Sequence, residues 1–214
     1  PPQKVKPPET LELVELFPVA VYARAMMWLG ILYPEKFKLP YKPEALIVCR
    51  TNLMANTADP QIMGDALKKV PFIVQMADHF NETSELADIV LPDTHYLERL
   101  VPLAMNPYVH FRASPLPGDD WAFNLQQPVV KAAGEARNWI EVMYDIADRI
   151  GILPDLYNVL NASSGFKDPH KLDPEKKHTW EEICDRWQKS WFGAKHGLDY
   201  FKSKGYHAVG KRTV

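Results

Sequence analysis

Three short apolar runs, each followed by a polar loop, constrain the fold of this chain more than any other feature. They occupy residues 45–49, 72–74 and 89–91. Continuous apolar runs of this length are typical of strands that are buried on both faces of a parallel sheet. Between the first two runs, Asp59 and Pro60 predict an N-cap followed by a proline at the first helical position. The order strand, helix, strand, short helix, strand therefore predicts an α/β fold with a doubly wound, mostly parallel, Rossmann-like sheet.

Burial follows from this fold. If both faces of the sheet are covered by helices, the central residue of each strand has no contact with water. We therefore expect Ile47, Val74 and Val90 to be fully buried in adjacent strands.

The rest of the chain suggests two flanking parts. Residues 1–42 form a proline-rich lead-in with an apolar helix, residues 43–151 form the α/β core, and residues 152–214 form a helical extension. Within the core, turn-forming residues predict mostly irregular chain over residues 100–128. The lead-in contains an apolar run at residues 19–33, which predicts a buried helix or loop-helix, since it is too short to span a bilayer.

Helix signals mark the C-terminal half. Apolar residues recur at helical spacing over residues 139–150, which predicts an amphipathic helix. Gly151 follows this pattern and predicts a glycine cap at the C-terminal end of the helix. Thr179 and Glu182 have the spacing of a capping box. A last short helix is expected to end at Gly205.

Composition excludes several classes of function. With 46% hydrophobic residues and a net charge of −2, the chain suits a globular protein and offers no electrostatic case for nucleic acid or an anionic membrane. Cys49 and Cys184 are its only cysteines and form no CxxC pattern, so this chain alone cannot supply four cysteines to an iron–sulfur cluster or zinc. Two buried reduced thiols are the simpler interpretation, although a disulfide stays open.

The first ten residues, PPQKVKPPET, are typical of a linker within a longer protein and contain no secretory signal. A chain of this kind gives no destination. A cytoplasmic parent and a parent exported to the periplasm both remain possible.

Ligands of open α/β sheets bind beyond the carboxyl ends of the strands. Polar loops follow the three apolar runs at residues 50–56, 75–79 and 93–95. The first loop has no GxGxxG pattern, which disfavours a simple NAD-dependent dehydrogenase.

Side chains in and after these loops could bind a ligand or serve the loops themselves. Asn52 and Asn56 suit turns and helix caps as well as ligand contacts. Asp78 could cap the short helix that contains Glu82 and Thr83, or it could accept hydrogen bonds from a ligand.

His79 and His95 raise a separate hypothesis, a free-standing α/β enzyme that uses a divalent metal. Lone histidines on different loops are more commonly hydrogen-bonded or surface side chains than metal ligands. Metal analysis of the purified chain would distinguish such an enzyme from a non-catalytic scaffold, which should carry no metal.

Several stretches together resemble one family. ADIVLP at residues 87–92 and YLER at 96–99 are similar to the ADIVLP…LER stretch of the molybdopterin oxidoreductases related to dimethyl sulfoxide reductase and formate dehydrogenase. FIVQ at 72–75 precedes a segment that resembles the TET motif of that family. QPVVKAAGEAR at 127–137 is similar to a further family motif.

This resemblance implies an internal, third-domain segment of a catalytic subunit that binds bis-molybdopterin guanine dinucleotide with molybdenum or tungsten. The implied cofactor contacts are Asn52, Asn56, Gln75, Asp78, Glu82 and Thr83. Iron–sulfur and metal ligands would lie elsewhere in the parent, so the chain alone would be redox-inactive and bind the remaining domains of the subunit. An iron–sulfur electron-transfer subunit is a further implied partner, and a sulfur or arsenic oxyanion an implied substrate.

The chain also departs from the family pattern. Where the family has GGNP, this chain has Arg50, Thr51, Asn52 and Leu53, and where the family has an aspartate after VVQ, it has Met76. These changes leave open a rival hypothesis, a non-catalytic scaffold or subunit-contact module with degenerate cofactor loops.

Overall fold

A computed structural model describes residues 26–57, 59–102 and 120–211, together with residues 11, 13 and 16. The described chain forms two compact units, and the division falls between Asp93 and Thr94. The predicted division into residues 1–42, 43–151 and 152–214 stays a prediction, because a division into compact units does not test it.

The first unit contains a parallel sheet in the order β1-β2-β3. Its strands are β1 (Leu46–Cys49), β2 (Ile73–Ala77) and β3 (Ile89–Pro92). In the register, Leu46 pairs with Ile73, and Val74 pairs with Ile89. Each strand coincides with one of the apolar runs, so the prediction of an α/β fold with a parallel sheet is confirmed.

Four α-helices of this unit are described. They are α1 (Met27–Leu32), α2 (Pro34–Phe37), α3 (Leu53–Asn56) and α4 (Pro60–Leu67), and a 3-10 helix spans Ser84–Leu86. Helix α4 begins as predicted, because Asp59 accepts hydrogen bonds from the backbone N–H groups of Gln61 and Ile62 at 3.0 and 3.2 Å. Helix α1 lies in the predicted apolar run, of which residues 19–25 are outside the described chain.

The main core cluster of the first unit lies on one face of the sheet. Val48 and Ile73 pack with residues of α4, among them Met63 and Leu67. Ile47 points away from this cluster and is 38% exposed. The expected full burial of Ile47, Val74 and Val90 is therefore wrong: Val74 and Val90 are partly exposed as well. An apolar run alone does not distinguish a strand covered on both faces from one covered on a single face.

The described residues of the second unit form four α-helices and an antiparallel sheet in the order β4-β5-β6. The helices are α5 (Trp139–Arg149), α6 (Leu153–Ser163), α7 (Trp180–Phe192) and α8 (Leu198–Lys204), with a 3-10 helix at Tyr96–Glu98. The strands are β4 (Val101–Pro102), β5 (Asp120–Gln126) and β6 (Tyr206–Lys211). The prediction of helices in the C-terminal part is thus confirmed, but the last described element of this part is a strand.

Strand β5 corrects the prediction of irregular chain over residues 100–128. Seven residues of that stretch form a strand, whereas residues 103–119 lie outside the described chain. The signal was present in the alternation of Trp121, Phe123 and Leu125 with smaller or polar residues, which is the period of a strand. The prolines and the glycine nearby favour turns, and the prediction of irregular chain followed them instead of this alternation.

The predicted helix caps of the second unit are confirmed. Thr179 accepts from the backbone N–H of Glu182 at 3.2 Å, and Glu182 accepts from the backbone N–H of Thr179 at 2.9 Å. Gly205 ends α8 in the left-handed conformation, with φ 78°. Side chains from all four described helices and from β5 form the core. Within it, Tyr157, Ile183 and Phe201 are at most 1% exposed.

Over the described ranges, no helix has the length and apolar character that a bilayer span requires. Both cysteines are free thiols, and burial raises the pKa of Cys184 well above its usual value. Of the two thiols that were expected to be buried, Cys184 is buried and Cys49 is partly exposed.

The second unit should lose stability in mild acid through His207. Its ring packs against the rings of His196 and Phe192, at centroid distances of 4.4 and 5.2 Å. Burial, and then the charge of His196, lowers the pKa of His207. The unfolded chain then binds the proton more readily than the folded one, so the free energy of unfolding should fall as the pH drops below about 6.5.

Denaturant unfolding at a series of pH values, followed by tryptophan fluorescence, measures this slope. The His207→Phe variant keeps an aromatic ring and should flatten the slope between about pH 7 and pH 5. The matched variant Tyr206→Phe alters an exposed neighbour in the same strand and should retain the wild-type slope. An unchanged slope in His207→Phe would contradict this assignment.

Candidate functional site

A polar cleft opens at the carboxyl ends of β1 and β2. This is the edge of an open α/β sheet at which ligands bind. The residues that line the cleft are Arg50, Thr51, Asn52, Ala77, Asp78, His79 and Asn81.

The volume of the cleft is about 220 Å³. Complete small-molecule sites commonly have volumes of roughly 300–1,000 Å³. The cleft therefore has room for one end of a larger ligand. A separate groove of about 410 Å³ lies in the second unit, between α5 and the start of α7.

The backbone at the end of β1 brings Arg50 to this cleft. The N–H of Arg50 donates to the carbonyl of Met76 at 3.0 Å, which continues the pairing of the two strands by one residue. Arg50 has φ 54°, in the left-handed region that residues other than glycine rarely adopt. The chain then turns away from the sheet and enters α3.

The side chain of Asn52 joins the first loop to the segment after β2. Its Oδ1 accepts from Thr83 Oγ1 at 2.9 Å, and its Nδ2 donates to Glu82 Oε2 at 2.5 Å. Thr83 is fully buried, and its hydroxyl also accepts from the backbone N–H of Met54 at 3.2 Å. Asn52, Glu82 and Thr83 therefore form one hydrogen-bonded network.

A second set of hydrogen bonds lies beneath the cleft and centres on Gln75. Gln75 is fully buried, and its Nε2 donates to the carbonyl of Thr51 at 3.2 Å and to Asn81 Oδ1 at 3.1 Å. Its Oε1 accepts from Ser84 Oγ at 2.6 Å. One amide side chain thus satisfies polar groups in both loops that line the cleft.

Asp78 presents a carboxylate to the cleft. Its Oδ1 contacts His79 Nδ1 at 2.6 Å, and its side chain is 35% exposed. A partly exposed carboxylate of this kind can accept further hydrogen bonds from a ligand.

The structure thus separates the six predicted site residues by position. Asn52 and Asp78 line the same cleft, while Gln75 and Thr83 are buried beside it. Glu82 is hydrogen-bonded to Asn52. The remaining residue, Asn56, is exposed, does not line the cleft and donates to Thr51 Oγ1 at 2.9 Å.

Charge at and beside the cleft is divided among three carboxylates and one arginine. Arg50 Nε lies 3.7 Å from Asp93 Oδ2, and the side chain of Asp93 is 1% exposed. The backbone N–H of Glu82 itself, and then the Asn52 amide, lowers the pKa of Glu82, so its charged form is favoured. Burial, and then the charge of Asp93, raises the pKa of Cys49, which keeps that thiol protonated at neutral pH.

The two histidines of the metal hypothesis have other contacts. His79 contacts Asp78, and His95 caps the 3-10 helix at Tyr96–Glu98, where its side chain accepts from the backbone N–H of Leu97. Within the described ranges, no group of three or more His, Cys, Asp or Glu residues is arranged to hold a metal ion.

Five residues that line the cleft were not among the predicted cofactor contacts, namely Arg50, Thr51, Ala77, His79 and Asn81. Position could have identified them, because all five adjoin the carboxyl ends of strands that the sequence did predict. Their chemistry gave less guidance. Arg50 in particular was interpreted only as the loss of a glycine.

The first unit has an α/β fold with a polar cleft at the carboxyl edge of its parallel sheet. The model of the molybdopterin oxidoreductase family matches residues 28–149, which is more than half of the 214 residues. This chain belongs to the molybdopterin oxidoreductase family. Membership implies a molybdenum or tungsten pterin cofactor in the protein to which the chain contributes.

Two relatives cover different shares of the chain. A sulfite dehydrogenase subunit from Allochromatium vinosum is 34% identical over 84 residues, which are 38% of this chain and 8% of that protein. Acetylene hydratase from Pelobacter acetylenicus has a TM-score of 0.57 at 19% identity, over 87% of this chain and 20% of that one. The second likeness shows the fold alone. The chain therefore spans a small part of the length of both relatives.

The Asn52–Thr83 hydrogen bond should contribute measurably to the stability of the first unit. Thr83→Val keeps the shape of the side chain but removes the hydroxyl, which should lower the free energy of unfolding by about 1–3 kcal/mol. A double-mutant cycle with Asn52→Ala should give a coupling energy of about 1 kcal/mol.

Urea unfolding of the four proteins in the cycle measures this coupling. Asn56→Ala is the matched control, because its hydrogen bond to Thr51 is exposed and should contribute little. Additive effects of Thr83→Val and Asn52→Ala would show that the two loops are not joined through this bond.

Proposed function

We propose that this chain is a cofactor-binding segment within a larger molybdenum- or tungsten-dependent oxidoreductase. In this proposal, the cleft of the first unit holds the guanine dinucleotide arm of a bis-molybdopterin guanine dinucleotide cofactor. The observation that carries it is the convergence of Asn52, Asp78 and Arg50 in one cleft at the carboxyl edge of a parallel sheet.

The chemistry of the cleft fits such an arm. A guanine base presents N–H donors along one edge, and ribose presents hydroxyl groups, so both need acceptors such as the Asp78 carboxylate. The amide of Asn52 carries two N–H bonds, of which Glu82 accepts one, so the other can donate to the ligand. Gln75 and Thr83 would then act indirectly, by holding the loops in place.

The cofactor, when bound, supplies the redox chemistry through its metal and dithiolene sulfurs. The residues of this chain would bind and orient one arm of it. Any iron–sulfur cluster would be ligated elsewhere in the parent, since Cys49 and Cys184 form no cluster motif. We accordingly expect the 214-residue chain by itself to be redox-inactive.

The first proposed partners are the remaining domains of the parent protein. The chain spans 8% of the sulfite dehydrogenase relative and 20% of acetylene hydratase, which supports a place within a longer protein. The second proposed partner is an iron–sulfur electron-transfer subunit, on the basis of the family resemblance.

A sulfur oxyanion is the proposed substrate class of the parent. The sequence similarity to a sulfite dehydrogenase supports a sulfur rather than an arsenic oxyanion. The similarity covers 38% of the chain, so it bears on the segment and only indirectly on the site of reaction.

The alternative is a scaffold or subunit-contact module that has lost its ligand. The absence of glycine from residues 50–53 and the positive φ of Arg50 favour it. Binding of a guanine nucleotide distinguishes this alternative from the cofactor proposal, because a scaffold has no reason to select guanine.

Titration of the chain with GDP and ADP, followed by calorimetry, tests the proposed function. GDP should bind more tightly than ADP, because the N–H edge of guanine suits the Asp78 carboxylate better than the edge of adenine does. Asp78→Asn should weaken GDP binding by about tenfold and affect ADP little.

Asp65→Asn is the matched control, because Asp65 is an exposed carboxylate on α4 in the same unit and does not line the cleft. It should leave the affinity for GDP unchanged. Equal affinities for GDP and ADP, or a GDP affinity that does not respond to Asp78→Asn, would favour the scaffold.

A further inference from the structure

Arg50 is the one arginine or lysine among the described residues that line the cleft. The other charged or titratable residues of the lining are Asp78 and His79, which contact each other. A negatively charged group of a ligand in this cleft would therefore meet Arg50 before any other permanent positive charge of the lining.

The conformation of Arg50 is unfavourable for a side chain. Its φ of 54° is a value that glycine adopts without cost. For other residues, the left-handed backbone conformation raises the conformational free energy by about 1–2 kcal/mol. Glycine at this position would allow the same turn after β1. The arginine is therefore not explained by the turn itself.

Asp93 forms an ion pair with the guanidinium. Arg50 Nε lies 3.7 Å from Oδ2 of this carboxylate, whose side chain is 1% exposed, while the side chain of Arg50 is 44% exposed. The edge of the guanidinium that carries Nε thus faces a buried anion, and a large part of the side chain remains accessible. Fixing a side chain before binding reduces the entropy that a ligand must offset.

A guanidinium has five N–H donors in a planar arrangement that matches the oxygens of a phosphate. One donor faces Asp93, and the terminal NH2 groups provide the paired geometry that phosphate oxygens prefer. An arginine in this position suits a phosphate group better than a neutral hydroxyl or amide.

We infer that Arg50 is the phosphate-binding residue of this cleft and that Asp93 positions it. The ligand class is a guanine nucleotide with a diphosphate group, whose base lies towards Asp78 and whose phosphate lies towards Arg50. This inference rests on the proposed function, because it assigns the phosphate of the same ligand. It also gives a role to the residue that replaces the expected glycine.

Guanosine and GDP distinguish the phosphate contact from the base contact. The wild-type chain should bind GDP at least about tenfold more tightly than guanosine, and added salt should weaken only GDP binding. Arg50→Gln should lower the affinity for GDP to that for guanosine. Its affinity for guanosine should not change.

Two further variants control for folding and for non-specific charge. Arg50→Lys keeps the charge but loses the paired donors, so it should recover part of the affinity for GDP. Lys68→Gln removes an exposed positive charge at the end of α4, outside the cleft, and should leave both affinities unchanged. Thermal unfolding of each variant shows whether a loss of affinity reflects a loss of structure.

The outcomes separate the two proposals. If the chain prefers GDP to ADP but Arg50→Gln binds GDP as the wild type does, the assignment of Arg50 is overturned while the cofactor cleft stands. If Arg50→Gln unfolds, the test uses Arg50→Lys instead. If Arg50→Lys is folded and binds GDP as tightly as the wild type does, the paired contact between Arg50 and the phosphate is also overturned. If the wild-type chain binds neither GDP nor guanosine, both proposals fail.

Discussion

The buried side chain of Gln75 is the constraint on which the cleft depends. An amide in the middle of a strand, with no exposure to water, is stable only if its donors and acceptor are satisfied. Gln75 meets this requirement through Thr51 in one loop and through Asn81 and Ser84 in the other. The geometry of the cleft therefore follows from satisfying one buried polar group. Replacing it by an apolar residue would leave both loops without that connection.

The same principle accounts for the division of work among the polar residues of the first unit. Thr83 and Gln75 are buried and satisfied within the protein, so they fix the loops. Asn52 belongs to the network and to the cleft lining, and it connects the two roles. Asp78 and Arg50 are partly exposed at the surface of the cleft, where a ligand can reach them. In the proposed function, side chains that support the loops and side chains that contact the ligand are therefore different residues, close to each other in the sequence.

Much of the fold was predictable because the strand runs and helix caps are local signals. The three strands, the start of α4 at Asp59 and the capping box at Thr179 all follow from residues close in sequence. The exposure of Ile47 was not predictable, since it depends on which residues, distant in sequence, pack against its face of the sheet. For the site, the sequence indicated the loops that line the cleft. The proposed role of Arg50 could not be predicted, because it depends on a left-handed backbone and on the nearby Asp93.

The central claim is that the carboxyl edge of this sheet binds the nucleotide arm of the family cofactor. Proton–nitrogen correlation spectra of the chain, recorded during a titration with GDP, test it most directly by locating the bound nucleotide. The account predicts that the largest shifts occur at the amides of residues 50–52 and 77–81. Shifts concentrated in the second unit, or no shifts at saturating GDP, would contradict it.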